Sequence, residues 1–330
     1  MAVGSGLGSS LGFIKESVYG TYVAPTKFIP VTGAAIDDAP TRVQGQGLRN
    51  GSFGPLASHY AETAKSATAS ITTDLHTKTL GQLFEALMGS SASAQQAATA
   101  AYLQTFTLAD TLGKSLTVQT GNPYRTGTVR PHTLTGGKVT AAEFSCDSVG
   151  AATSTWTIDG QAFTDSQSLA AISYAADTQP PFHGGQLAVK LGTYGAESSK
   201  TGIRGYSLSI ARPHDTADYT AGAAGLKAEP VQNGYTTISG SITADWLDKA
   251  TFQDLARGTA STSLVIEHVG ALIATTYYYT LRFTIPGVIF QPGAQSADGL
   301  GELTKSWAFD WAYDGTNQPK IEYITTDTAV

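Results

Sequence analysis

The chain has 330 residues, 41% of them hydrophobic and only 14% charged, against ~25% charged residues in an average globular protein. Net charge is −6 and the single cysteine is Cys146, so composition offers neither a basic field to draw nucleic acid nor an intrachain disulfide. No run reaches the ~20 apolar residues of a membrane-spanning helix, and the length suffices for two ordinary domains.

Taken in order, the Gly/Ser-rich stretch Met1 to Leu11 has neither a basic region nor an apolar core, so it reads as an arm and not a secretory signal. Period-two alternation then predicts strands at Phe28–Val31, Thr68–Thr73, Tyr102–Leu108, Lys114–Gln119, Val139–Cys146 and Thr155–Ile158. Residues 38–66 hold Gly45, Gly47, Gly51 and Gly54 and read as one long loop, and Ser90–Ala101 reads as a surface loop, as does Thr216–Gly225. In the second half strands are expected at Leu187–Leu191, Tyr206–Ile210, Thr236–Ile242, Leu264–Val269 and Ile321–Ile324. The clearest alternation is Tyr277, Tyr279, Leu281, Phe283, Ile285, followed by Trp307, Phe309, Trp311, Tyr313. Strands at this spacing indicate a β-sandwich or barrel.

Two stretches 171 positions apart nearly coincide: Ser70-Ile71-Thr72-Thr73-Asp74-Leu75 and Ser241-Ile242-Thr243-Ala244-Asp245-Trp246. Each precedes a short amphipathic helix ending in glycine. The first has Thr79 as cap, the stripe Leu80, Leu83, Phe84, Leu87, and Gly89 as a left-handed stop. The second has Asp248 as cap, the stripe Phe252, Leu255, Ala256, and Gly258. A unit used twice predicts a duplicated domain. With Pro180-Pro181 opening the second copy, the division is an arm at 1–27, a first antiparallel β-sandwich domain at 28–177 and a second at 178–330, each with one flanking helix. The junction falls near Thr178.

Few residues suggest chemistry. His59, His76, His132, His183, His214 and His268 lie far apart with no metal-ligand spacing and read as surface or loop residues. Cys146 reads as a small buried residue of a strand. Gly4-Ser5-Gly6-Leu7-Gly8 lacks the preceding strand and following lysine of a phosphate loop, and Asp37-Asp38 reads as a solvated turn. The aromatic strands at 277–283 and 307–313 read as core on one face, with a stacking platform as the competing reading. No catalytic, cofactor or metal site is expected.

One segment is more specific. Gly12-Phe13-Ile14-Lys15-Glu16-Ser17-Val18-Tyr19-Gly20-Thr21-Tyr22-Val23-Ala24-Pro25-Thr26-Lys27-Phe28-Ile29-Pro30 resembles the opening of tail tube proteins of long-tailed bacteriophages, of the form G-x-x-x-E-x-x-Y-G-T-x-V-x-P-T-x-F-x-P. Tyr206 to Pro213 also resembles the family's strand after the mid-chain junction. The resemblance implies a structural virion protein, made in the host cytoplasm, that stacks as rings into a hollow tube. Its implied partners are further copies of itself, the tape-measure protein, the tail tip and terminator proteins, and DNA in transient passage. Single-sandwich members form hexameric rings, and two-sandwich members form trimers of pseudo-sixfold symmetry, with sheet lining the lumen and helices outside it. The expected contact residues between subunits or rings are Phe13, Ile14, Tyr19, Tyr22, Phe28, Arg49 and Phe53. DNA that must slide calls for a lumen of Thr, Ser, Gln and Asp in place of Lys and Arg. The competing classes are a two-domain adhesin or carbohydrate-binding module, a β-sandwich glycosidase, which needs two facing carboxylates, and a capsid decoration protein.

Overall fold

The computed structural model describes residues 6–47, 49–51, 53–175, 179–246, 251–293 and 303–330. The first half contains β1 (Ser10–Lys15), β2 (Lys27–Phe28), β3 (Gly33–Asp38), β4 (Thr41–Gln44), β5 (Tyr60–Ala64), β6 (Ala67–Asp74), α1 (Gly81–Met88), β7 (Gly89–Gln95), β8 (Tyr102–Leu108), β9 (Leu116–Pro123), β10 (Val129–Asp147), β11 (Thr153–Gly160) and β12 (Ala162–Thr164). The second contains β13 (Leu187–Gly192), β14 (Ser198–Ser199), β15 (Ile203–Ala211), β16 (Thr237–Asp245), α2 (Gln253–Arg257), β17 (Thr262–Ala274), β18 (Tyr277–Phe290), β19 (Thr304–Trp311) and β20 (Lys320–Thr325). The fold is mainly β, and among the described residues the strand-to-strand ladders are antiparallel and branch without closing on themselves.

One pairing scheme occurs twice. The ladders β1–β9, β9–β10, β10–β12, β10–β11, β11–β6 and β6–β3 recur as β13–β17, β17–β18, β18–β20, β18–β19, β19–β16 and β16–β15. The repeated Ser-Ile-Thr runs hold matching places, since Ile71 stands opposite Trp156 and Ile242 opposite Trp307. The two copies join where the C-terminal half of β10 pairs with β15, Ala142 opposite Ile210 and Phe144 opposite Leu208. The result is a continuous row, β3-β6-β11-β10-β15-β16-β19-β18. A second join lies elsewhere: β8 of the first half pairs with β20, the last strand of the chain.

The core runs through both halves. Phe84 of α1 sits within 5.5–6.2 Å of Phe106, Trp156, Tyr323 and Phe144, ring centre to ring centre, and Phe144 meets Phe283 of β18 at 4.8 Å. Helix α1 is eight residues long, too short to persist alone. Burial of Leu80, Leu83, Phe84 and Leu87, worth about 1.5–3 kcal/mol each, holds it down. Gly89 stops it with φ +93°, and a Cβ there would meet the Ala109 carbonyl oxygen at 2.3 Å.

Several sequence expectations change. Ser10–Lys15, read as part of the arm, is β1, hydrogen-bonded along β9 with Leu11 and Phe13 in the core; one six-residue strand was too short to stand out from its Gly/Ser surroundings. Thr79 does not cap α1. It adopts φ +76°, its amide donates to the Asp327 carboxylate at 2.6 Å, and Leu80 takes the cap position. Ser90–Ala101 is not wholly loop, because Gly89–Gln95 pairs with β8. The 38–66 segment contains the β4–β5 hairpin. Gly258 ends α2 at φ −84°, without a left-handed turn. Asp248 and the junction at Thr178 lie outside the described residues.

Candidate functional site: a hydroxyl-lined sheet face between two open edges

Alternation gives the eight-strand row two unlike faces. One carries Ile71, Trp156, Phe144, Leu208, Ile242 and Phe309, all buried against the core. The other is built of short hydroxyls that meet across strands: Thr72 and Thr155 (3.4 Å), Ser145 and Thr153 (3.0 Å), Ser207 and Ser241 (3.0 Å). Glu143, Asp147 and Asp310 stand exposed among them. The basic side chains of these strand segments are Arg204, which donates to Asp245 at 2.7 Å, Lys138, which is buried opposite Asp159, and Lys305, which lies on the opposite face over Trp307. This face is therefore polar, short-chained and acidic. It forms a shallow groove of about 530 Å³, centred on the β10–β15 join.

Among the described residues, β3 at one end and β18 beyond Val288 at the other have no strand on their outer side, and both ends are marked by proline. The Ala39 amide donates to Ser66, so the next nitrogen, that of Pro40, falls on the far side of β3. At the other end the Gln291 amide donates to Ala308 of β19, and alternation turns the Pro292 nitrogen outward. Proline on an edge removes a donor and discourages unregulated pairing. The internal join has no such block: the Arg212 amide donates to Thr140 at 2.7 Å.

The segment 212–236, between β15 and β16, straps the halves together with buried charge. Arg212 donates to the Leu87, Met88 and Ala109 carbonyls and to Gln232. Lys227, fully buried, meets Asp159 at 2.6 Å, and Lys138, equally buried, is paired with Glu229. Burial holds the Lys138 ammonium below its ordinary pKa and the Asp159 carboxyl above its own, in each case against the pull of the partner. His214 is buried here too, bonded to Thr111 and the Arg212 carbonyl, and His268 is buried beside Tyr206. His268, in β17, is neither the surface nor the loop residue expected from sequence, and His214, in a loop as expected, is covered too, because long-range packing and not local pattern buries both.

The placement of the expected contact residues is mixed. Phe13 and Phe28 are buried inside the chain and serve packing; Ile14, Tyr19 and Tyr22 are half-buried; Arg49 and Phe53 are exposed between β4 and β5. Burial pushes the Tyr19 phenol well above its ordinary pKa, with Asp159, Glu229 and Glu16 adding to it. Glu16, which sequence reasoning left without a role, is a buried carboxylate with four donors: Ser115 (2.7 Å), Thr117 (2.9 Å) and the amides of Gly20 (2.9 Å) and Gly136 (2.8 Å). It ties the Tyr19-Gly20-Thr21 turn to β10. The aromatic strands present Tyr279, Phe283, Trp307 and Phe309 to the core, whereas Trp311 is half-buried and Tyr278 and Tyr313 are exposed. Cys146 is buried and its thiol is pushed up to about 11 by burial. Among the described residues no cluster of three or more metal-ligating side chains occurs.

A family model described as phage tail tube protein matches residues 6–315. The chain belongs to the phage tail tube protein family. No curated protein matches it. As a tail tube protein it is a structural component of the bacteriophage virion, and no helix of the described residues is long and apolar enough to cross a membrane. The Glu16-x-x-Tyr19-Gly20 turn then gains a physical meaning, since the carboxylate of the first residue receives the amide of the last.

Proposed function

We propose that this tail tube protein closes into rings through the two open ends of its eight-strand row, and that the rings stack into the tube. The chain acts as two tandem sandwich units, divided near residue 178, so that three copies supply six sheet segments and a ring of pseudo-sixfold symmetry. The hydroxyl-lined face turns inward, toward the tape-measure protein first and DNA afterwards, with the helices outside. The observation carrying this reading is the β10–β15 pairing, which joins one unit to the next edge to edge. The same join made between copies is a head-to-tail contact that closes by rotation, and closure removes exposed strand edges.

DNA presents one negative charge per ~1.7 Å, so a face of hydroxyls and carboxylates offers it no counterion-releasing grip. The exposed Arg49 and Phe53, with the β4–β5 hairpin, are the contact candidates toward a neighbouring ring, joined by the half-buried Tyr22. Ordering such a segment costs about 1–2 kcal/mol per residue, so burial against a neighbouring ring has to offset it. Electron microscopy of the purified chain tests the reading. Stacked rings with threefold symmetry and six similar lobes are expected; a chain that remains monomeric at every concentration tried overturns it in favour of a soluble binding module.

A further inference from the structure

The internal join can be carried over, residue by residue, to the two outer edges. Trp156 and Trp307 are equivalent, and Ala142 stands opposite Trp156. Extending the β18–β19 ladder from its pair Phe290 and Phe309 brings Pro292 opposite Trp307. On the partner side, Ile210 pairs with Ile238 and Asp38 with Ala67, each four positions before the repeated isoleucine. Since Ala142 pairs with Ile210 and Glu143 with Ser209, the external join sets Asp38 opposite Pro292 and Asp37 opposite Gly293.

The substitutions between the two joins are complementary. Where the internal join has apolar Ile210 on the face of Ser154, two positions before Trp156, the outer edges have Asp38 and Lys305, two positions before Trp307. Lys305 lies 3.9 Å from the Trp307 ring centre and its Nζ donates to the Gly293 carbonyl at 2.6 Å, which holds the ammonium at the open edge. It lines a pocket of about 270 Å³ with Gln253, Arg257, Pro292, Gly293 and Trp307. Neither Lys305 nor Arg257 pairs with a carboxylate of the described residues. Asp38 is exposed beside Asp37 and near Glu62, and burial and those two carboxylates raise its pKa, against the pull of Arg42. A cationic socket ends one edge, and an acidic strand end marks the other.

We propose that the pocket at the α2 corner receives the acidic end of β3 from a second copy, with Asp38 against Lys305 and Arg257 and Asp37 beside Gly293. This contact rests on the ring reading and adds its register and its specificity. The charges make the outer edges attract each other and mismatch the apolar internal join, so that repeats pair in one order only.

Two measurements test it in the full chain. Asp38→Lys and Lys305→Glu, each checked for native circular dichroism, are expected to raise the concentration for half-assembly about tenfold or more, because like charges then face each other. The double variant Asp38→Lys/Lys305→Glu is expected to return close to the wild type. Separately, Asp37→Cys/Gly293→Cys is expected to form, on oxidation of assembled rings, a covalently closed species of three chains on a denaturing gel, with buried Cys146 as the unreactive background. Wild-type rings with unchanged assembly in both charge variants, or rings in which the cysteine pair does not cross-link, overturn the contact while leaving the ring intact. A wild-type chain that forms no rings overturns the ring reading itself, and the contact with it.

Discussion

The guanidinium of Arg212 closes the end of a helix 124 residues earlier in the chain: its Nη1 donates to the Met88 carbonyl at 2.8 Å and to that of Leu87 at 3.0 Å, while Nη2 reaches Ala109 at 2.7 Å. The Leu87 and Met88 carbonyls lie in the last turn of α1, where a helix leaves carbonyls without intrahelical partners; Met88 also accepts from the Ala109 amide at 2.8 Å, and the arginine is buried. Arg212→Met keeps much of the volume and takes the guanidinium from the Leu87 and Ala109 carbonyls, while Met88 keeps the Ala109 amide as its donor. We expect a loss of about 3 kcal/mol, measured by urea unfolding. A loss below about 1 kcal/mol, within the range of a surface substitution, would show that water substitutes for the guanidinium.

The Lys227–Asp159 pair spans the strap and β11 with the ammonium wholly out of water. Removing one member strands a buried charge, whereas replacing both with apolar residues spares that penalty. Lys227→Met alone is therefore expected to cost about 3 kcal/mol or more, and Lys227→Met/Asp159→Leu distinctly less. Thermal unfolding of the two variants side by side decides the matter, and additive losses would contradict it.

Acid should weaken the fold through His268. Its imidazole is fully buried, bonded to the Tyr206 hydroxyl at 3.1 Å and packed on Phe182, and burial lowers its pKa to about 4, with nearby His183 acting both ways. The unfolded chain, with an ordinary value near 6.5, binds the proton first, so stability is full above pH ~6.5 and falls as pH drops toward ~4. The whole effect is roughly 3 kcal/mol. Urea unfolding at pH 7 and pH 4.5 should show the loss in the wild type and a shallower slope in His268→Gln; equal slopes would refute the assignment.

Charge on the hydroxyl face should affect passage and not folding. Ser209→Lys and Ser241→Lys place ammonium groups beside the β10–β15 join without touching the core, so stability is expected to change by no more than ~0.5 kcal/mol. Tubes should still assemble, and DNA delivery should slow because lysines exchange counterions for phosphate. Particles bearing both substitutions that eject DNA at the wild-type rate would show that this face does not line the channel.

Much of this was legible in the residues. The stripe Leu80, Leu83, Phe84, Leu87 marked α1, the alternation at 277–285 marked β18, and the echo of Ile71 by Ile242 marked a scheme used twice. The candidate face was legible as well, because Thr72, Ser145, Ser207 and Ser241 alternate with the apolar Ile71, Phe144, Leu208 and Ile242. What pattern could not reveal was partnership. Lys138, Lys227, Arg212 and His268 look like surface residues locally, and each is buried by a segment far away in the chain.

The sequence by itself determined which side of each strand meets the core, since that follows from a period of two and the hydrophobicity of alternate side chains. Tertiary structure alone decided which edges meet. Backbone hydrogen bonds along β10 and β15, or β8 and β20, are made by groups that every residue but proline carries, so no side-chain pattern announces them. The edges left over, marked by Pro40 and Pro292, became visible only once all the others had found partners.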